Sequence, residues 1–223
     1  MPIRAVIFDF GGVLVRTEDQ SGRRKWEARL GLAEGGASKV VFGSDASDHA
    51  SMGQLPESAV WEHIAAALRL NDEQLREFER DFWGGDRLDA ELVHFLRSLR
   101  PRYKTAILSN AWSGGRRAIA EMFGLNEAVD AIIVSAEEGV VKPDARIYQT
   151  AAARLGVRPE EAIFVDDLLE NVQGAQAVGM RGVYFQNTGQ ALAEIGHHLG
   201  ELASPMDPST TTNGYETTSH LPR

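Results

Sequence analysis

From about residue 91 onward the chain alternates between two kinds of segment, and that alternation restricts the fold more than any other feature. The runs "YKTAILS", "DAIIVS", "EAIFVD" and "RGVYF" are short, apolar and rich in Ile and Val. Between and before them lie the amphipathic stretches "ELVHFLRSL", "GRRAIAEMFGL", "ARIYQTAAARLG" and "LLENVQGAQAVG". Strands buried on both faces read as near-continuous apolar runs, and helical connections of this length favour parallel pairing. With Ile3 to Asp9 as a further strand, the pattern predicts an open α/β sheet with helices on both faces.

Between the opening strand and this alternation the character changes. From about Arg16 to Arg87 the sequence predicts helices and no strand. Apolar residues recur at helical spacing at Val60, Ile64, Ala67 and Leu68, then at Leu75, Phe78 and Phe82. Pro56 stands where a helix can begin, and Asn71 can cap the next one, with Glu73 and Gln74 in its first turn. The expected organisation is therefore a core from residues 1–15 and 88–202 with a helical insertion from 16–87. The Thr-, Ser- and Pro-rich remainder, 203–223, has no periodicity and is predicted to be a disordered tail.

At 223 residues the chain can bury a core without a staple, and 43% hydrophobic and 25% charged residues are ordinary globular values. No apolar run reaches bilayer-spanning length, and "MPIRAVIFDF" lacks the pattern of a secretory leader. The absence of cysteine excludes disulfides and thiolate chemistry, so the expected location is cytoplasmic. A net charge of -9 argues against nucleic acid or an anionic membrane as partner. The expected partner is a small molecule, with the protein a monomer or homodimer.

Ligands of a parallel α/β sheet bind beyond the carboxyl ends of its strands. There the sequence places Asp9, followed by Gly11 and Gly12 in "IFDFGGVL"; Ser109 and Asn110 in "LSN"; Lys142 in "VVKPD"; and Asp166 and Asp167 in "FVDD". Each has an ordinary structural explanation. Asp9 can start a turn, Ser109 and Asn110 can cap a helix, Asp144 can cap the helix after Pro143, and the paired Asp residues can face a helix N-terminus. Together they ask for a cation, because two adjacent carboxylates facing a third repel one another. Carboxylates with Mg²⁺ between them, a lysine and a hydroxyl suit the approach of a phosphate dianion to a carboxylate nucleophile.

The four motifs, "FDFGGVL", "LSN", "VKPDARIY" and "FVDDLLENVQGAQAVGM", occur in the order found in the haloacid dehalogenase superfamily, and the chain resembles that superfamily over nearly its whole length. Within it, "DFGGVL", "KPDARIYQ" and "VDD" are most similar to the small-cap (C1) hydrolases that include sugar-phosphate phosphatases and the phosphatase domain of soluble epoxide hydrolases. The resemblance implies a Rossmann-like core, a helical cap and phosphatase activity on a small phosphorylated metabolite such as a sugar phosphate. It implies that Asp9 is the nucleophile, forming an aspartyl-phosphate. Mg²⁺ would be held by Asp9, the Gly11 carbonyl and Asp167, with Asp166 assisting directly or through water. The spacing of Asn171, Gly174 and Gly179 favours Asp167 over Asp166. Lys142, Ser109, Asn110 and backbone amides near Gly12 would bind the phosphoryl group.

One position departs from the pattern. Most phosphatases of the superfamily carry a general-acid Asp where this chain has Gly11. A positioned acid contributes about 10²–10⁴-fold, so leaving groups that need little protonation, such as anomeric, acyl or aryl phosphates, fit this site best. The same glycine keeps two other readings open: hydrolytic dehalogenation of a 2-haloacid by Asp9, and a catalytically weak phospholigand-binding protein. Arg16, Arg23, Arg24, Lys25, His49 and Trp61 are the candidate cap contacts, "RRK" reads equally as a solvated helix face, and "WSGG" reads as a phosphate-binding turn or the start of a helix. His197 and His198 read as surface residues.

Overall fold

The structure, a computed structural model, describes residues 1–200. The expected tail, and the last two residues assigned to the core, lie outside them.

Five strands form one parallel sheet: β1 (Ala5–Phe8), β4 (Lys104–Ser109), β5 (Ala131–Val134), β6 (Ala162–Asp166) and β7 (Arg181–Tyr184). Their spatial order is β5-β4-β1-β6-β7. The chain builds outward from β1 through β4 to β5, then returns to place β6 on the other side of β1. Strand order therefore reverses at β1 and β6, which opens a crevice beyond their carboxyl ends. Period-2 alternation sends Val6, Phe8, Ile107 and Val165 to one face and Ala5, Ile7, Leu108 and Phe164 to the other. The first set packs with α6 (Ala90–Ser98) and α11 (Thr188–Leu199), the second with α9 (Ala145–Leu155) and α10 (Leu169–Ala177).

Within the segment from 16 to 87 the chain makes five helices: α1 (Ser21–Leu30), α2 (Gly36–Phe42), α3 (Asp45–Ser51), α4 (Glu57–Leu68) and α5 (Asp72–Trp83). Pro56 immediately precedes α4, and Asn71 forms a capping box with Gln74 at the start of α5. These helices enclose their own apolar cluster, in which Trp26, Val60, Ile64, Phe78 and Phe82 are fully buried.

The expectation of no strand between Arg16 and Arg87 fails at both ends of that segment. Strands β2 (Val15–Thr17) and β3 (Asp86–Leu88) form an antiparallel ribbon, with Arg16 opposite Arg87. Three residues are too few to show an alternating pattern. The ribbon is held by polar contacts, including Thr17 Oγ1 donating to Asp86 Oδ1, and not by an apolar face. The stretch "GRRAIAEMFGL" is also less regular than predicted: one turn, α7 (Gly115–Arg117), runs into a π-helical turn over Ala118–Met122. Among the described residues, no helix is long and apolar enough to cross a membrane.

Candidate active site

The loops after β1 and β6 bring Asp9, Asp166 and Asp167 together, each offering a carboxylate oxygen within 4.8 Å of the others. Asp9 follows the last residue of β1, Asp166 ends β6, and both are buried. Lys142 comes from the segment between α8 (Ser135–Glu138) and α9, and its side chain is 1% exposed. Its Nζ donates to Asp9 Oδ1 at 2.8 Å and to Asp166 Oδ2 at 2.6 Å.

Each group is braced. Asp9 Oδ1 accepts from the Phe10 N–H at 2.7 Å. Asp166 accepts from the Leu168 N–H and from Asn171 Nδ2, so most of its lone pairs are already directed into the protein. Asn171 lies one turn into α10, and its carbonyl accepts from the Tyr148 hydroxyl at 2.7 Å. Neither Ser109 nor Asn110 caps a helix. Ser109 is the buried last residue of β4, and Asn110 exchanges two hydrogen bonds with the Lys142 backbone, clipping the lysine's loop to the β4 loop. Asp144 does cap α9, accepting from the Arg146 N–H.

The two glycines differ. Gly12 has φ of +86°, and a Cβ there would lie 2.2 Å from Asp167 Oδ2, so only glycine lets the β1 loop close on that carboxylate. Gly11 is exposed and has open space where a Cβ would be.

Charge is the unbalanced quantity. Three carboxylates face a single ammonium. Burial, and secondarily the Asp166 charge, push Asp9 up to about 7 against the pull of Lys142. Burial raises Asp167 as well, again with Asp166 adding to it. Lys142 is raised: burial lowers it, but Asp9 and Asp166 outweigh that effect. Two carboxyls driven toward protonation inside an all-oxygen cluster form the donor set a hard divalent cation stabilises, so the residues fit such an ion.

Several predicted contacts are engaged elsewhere. Arg16 pairs with Asp89 at 2.7 Å, Arg23 with Asp86 at 3.3 Å, and Lys25 with both Glu77 and Asp81. Arg23 is also largely buried, its guanidinium 4.1 Å from the Phe82 ring centroid, so the "RRK" run is not uniformly solvated. Arg24 and His49 are exposed. Trp61 is buried within the insertion's cluster. His197 is exposed and His198 half-buried, on α11. The "WSGG" stretch docks the insertion. Trp112 Nε1 donates to Ser47 Oγ, Ser113 Oγ accepts from the Glu57 N–H, and a Cβ on Gly114 would strike Glu57 Oε2. The sequence reading missed Tyr148 and the seating of Trp112, since each depends on contacts across long separations in the chain.

Residues 3–179 match the sequence pattern of the haloacid dehalogenase-like hydrolases, and the chain belongs to that family. It is 28% identical to phosphatase MT3486 of Mycobacterium tuberculosis, over 93% of this chain and 98% of that one. It is 27% identical to the sesquiterpene phosphatase astK of Aspergillus oryzae, over 88% of this chain and 97% of the relative. A solved haloacid dehalogenase-family enzyme from Bacteroides thetaiotaomicron, complexed with magnesium and inorganic phosphate, shares the fold. Its TM-score is 0.68 at 17% identity, with 82% of this chain and 94% of that one covered.

Proposed function

We propose that this hydrolase is a Mg²⁺-dependent phosphatase of a small phosphorylated metabolite, acting through an aspartyl-phosphate on Asp9. The observation that carries the reading is the excess of buried carboxylate over ammonium at the β1–β6 crevice, together with phosphatase relatives that align over nearly the full chain. Mg²⁺ would be held by Asp9, the Gly11 carbonyl and Asp167, with Asp166 in support, and would supply charge neutralisation for an approaching phosphate dianion. Asp166 is the less free of the pair, since its oxygens already accept from Lys142, Leu168 and Asn171.

Asp9 attacks phosphorus, and the P–O bond to the leaving group breaks with its electron pair going to that oxygen. Lys142 lies beside the nucleophilic carboxylate, where its charge offsets that of the transferring group. Ser109 and the amides of the loop at Gly12 receive phosphoryl oxygens, and Asn110 keeps the Lys142 loop in register. Water then hydrolyses the aspartyl-phosphate, returning Asp9 and releasing phosphate. The helical insertion serves as the cap that excludes bulk water from this sequence of steps. Gly11 supplies no proton to the leaving oxygen, so acyl, anomeric and aryl phosphates are the favoured substrates.

The test is a phosphate-release screen with and without Mg²⁺, over acyl, sugar and aryl phosphates with a 2-haloacid control. Turnover that needs Mg²⁺ and disappears in Asp9→Asn is the expected result. Chelator-insensitive halide release, or tight phosphate binding without turnover, overturns it.

A further inference from the structure

One run of the sequence takes no part in the chemistry of the crevice. Residues 97–104, "RSLRPRYK", carry four bases and no acid, in a chain whose net charge is -9. They join α6 to β4, so they lie at the amino edge of the sheet, while Asp9 and Asp166 lie at its carboxyl edge. Bases from other loops meet them there. The Lys104 N–H donates to the Arg4 carbonyl at 2.8 Å, and the Arg4 N–H donates to the Glu161 carbonyl at 2.8 Å. Those bonds set the start of β4, the residue before β1 and the loop before β6 side by side.

The charges at this edge are layered. Asp130 pairs with Lys104 at 3.1 Å and Arg100 at 3.7 Å, and Glu161 pairs with Arg4 at 3.7 Å and Arg158 at 3.2 Å. The two acidic side chains are 20% and 9% exposed, whereas the four bases are between 37% and 61% exposed. Each acid thus lies beneath two bases, and the layer that meets solvent is basic. Arg97 and Arg102 are exposed on the same run, and the exposed acids Glu127 and Glu160 leave the bases in excess. Met1, 63% exposed, has its Sδ 2.8 Å from the Arg158 guanidinium, and Pro2 beside it is exposed as well.

A net charge of -9 repels an anionic surface only where the whole molecule is felt. The six residues of β4 span about 20 Å at ~3.3 Å per residue, whereas charges are screened over about 8 Å at physiological ionic strength. A surface that approaches the amino edge therefore senses its bases and not the distant carboxylates. Two observations choose among anionic partners. Single-stranded nucleic acid is held by stacking on exposed aromatic rings, and Tyr103, the aromatic residue of this run, is buried. Outward bases around a short apolar tip suit lipid headgroups, which pair with the bases and admit the tip.

We propose that the amino edge of the sheet binds the surface of an anionic phospholipid bilayer through Arg4, Arg100, Lys104 and Arg158, with Met1 and Pro2 in the headgroup layer. The catalytic crevice then faces away from the bilayer, toward water.

The test is co-sedimentation of the full chain with phosphatidylcholine vesicles containing about 30% phosphatidylserine, in about 0.1 M salt. Lower salt is avoided, because at about 0.01 M the screening length grows to about 30 Å and the far carboxylates are felt. The protein should sediment with these vesicles but not with pure phosphatidylcholine, and about 1 M salt should release it. Each base near such a surface contributes about fivefold, less where an acid offsets it, so Arg100→Gln with Lys104→Gln should weaken binding about tenfold. Because that pair leaves Asp130 without its partners, Arg97→Glu provides a second reading: Arg97 has no ion pair among the described residues, and reversing it should weaken binding severalfold. Lys39→Gln with Arg76→Gln removes the same charge from exposed positions on the insertion and should bind as the wild type does. No sedimentation with the anionic vesicles, equal sedimentation with both kinds, or equal losses in the two double variants overturns the proposal. Retention on duplex DNA at the same salt, without sedimentation on vesicles, gives the edge to nucleic acid and overturns it too.

Discussion

At the scale of single residues, the chemistry turns on what Gly11 lacks and what Asp9 retains. Open space at the Gly11 Cβ and a φ outside the left-handed region mean that an aspartate can be installed without displacing a neighbour. Gly11→Asp should therefore fold normally and speed alkyl phosphate hydrolysis by roughly 10–100-fold, with a much smaller gain on aryl phosphates. Parallel steady-state assays on one alkyl and one aryl ester check this, and no gain on either would show that another residue already donates the proton. Asp9 gives a second prediction, about pH. Its carboxyl sits at about 7 in the fold against 3.8 for the free side chain, so the metal-free fold holds a proton between those values that the unfolded chain releases. Stability from this group is complete below pH 4 and is lost as pH rises through 7. His198, lowered by burial and then by Arg181, acts in the opposite sense in the same window, so the comparison must be with Asp9→Asn. In EDTA the wild type should lose more thermal stability than Asp9→Asn between pH 5 and pH 8. Added Mg²⁺ should close that gap, because it favours the ionised carboxylate.

At the scale of elements, one side chain ties both ends of the helical insertion to the sheet domain. Asp89 caps α6 by accepting from the Leu92 N–H at 2.8 Å, pairs with Arg16 of β2 at 2.7 Å, and accepts from the Thr188 hydroxyl of α11. Asp89→Ala removes a cap and leaves Arg16 without its carboxylate, which should cost about 2–3 kcal/mol. Asp89→Asn preserves the cap and should cost about half as much. Thermal melts of the two variants test the ordering. This junction also shows where sequence reasoning stops. The sheet strands were legible because buried parallel strands carry their own signature in Ile and Val, and α5 because Asn71 and Gln74 announce its start. The ribbon of β2 and β3 carries no such signature, since its partners are 69 to 73 residues apart in the chain and its contacts are polar. At the site, the carboxylates and Lys142 could be inferred because strand ends converge by topology. The exchange between Asn110 and Lys142 could not, because it joins two loops 32 residues apart, the Asn110 side-chain amide meeting the Lys142 backbone.

At the scale of the whole molecule, the insertion and the sheet domain have separate apolar clusters, so their coupling depends on the few groups that cross between them. Trp112 is the largest of these: it belongs to the β4 loop, yet it is 8% exposed inside the insertion's cluster and hydrogen-bonded to Ser47. The backbone beside it is equally close, since Gly53, with φ of +71°, lies so near the Ala136 carbonyl that a Cβ would be 2.1 Å from that oxygen. Wild-type protein should therefore unfold with coincident fluorescence and circular dichroism transitions, because loss of the insertion exposes Trp112 and loosens the loop that positions Lys142. Truncating a buried tryptophan costs about 3–5 kcal/mol, and here that loss falls on the joint between the two clusters. Trp112→Ala should split the urea transition, with the insertion, monitored through Trp26, Trp61 and Trp83, melting first and the sheet domain later. A single coincident transition in Trp112→Ala would mean that the β2–β3 ribbon and the Asp89 contacts alone transmit cooperativity. In that case Asp89→Ala should separate the two transitions instead.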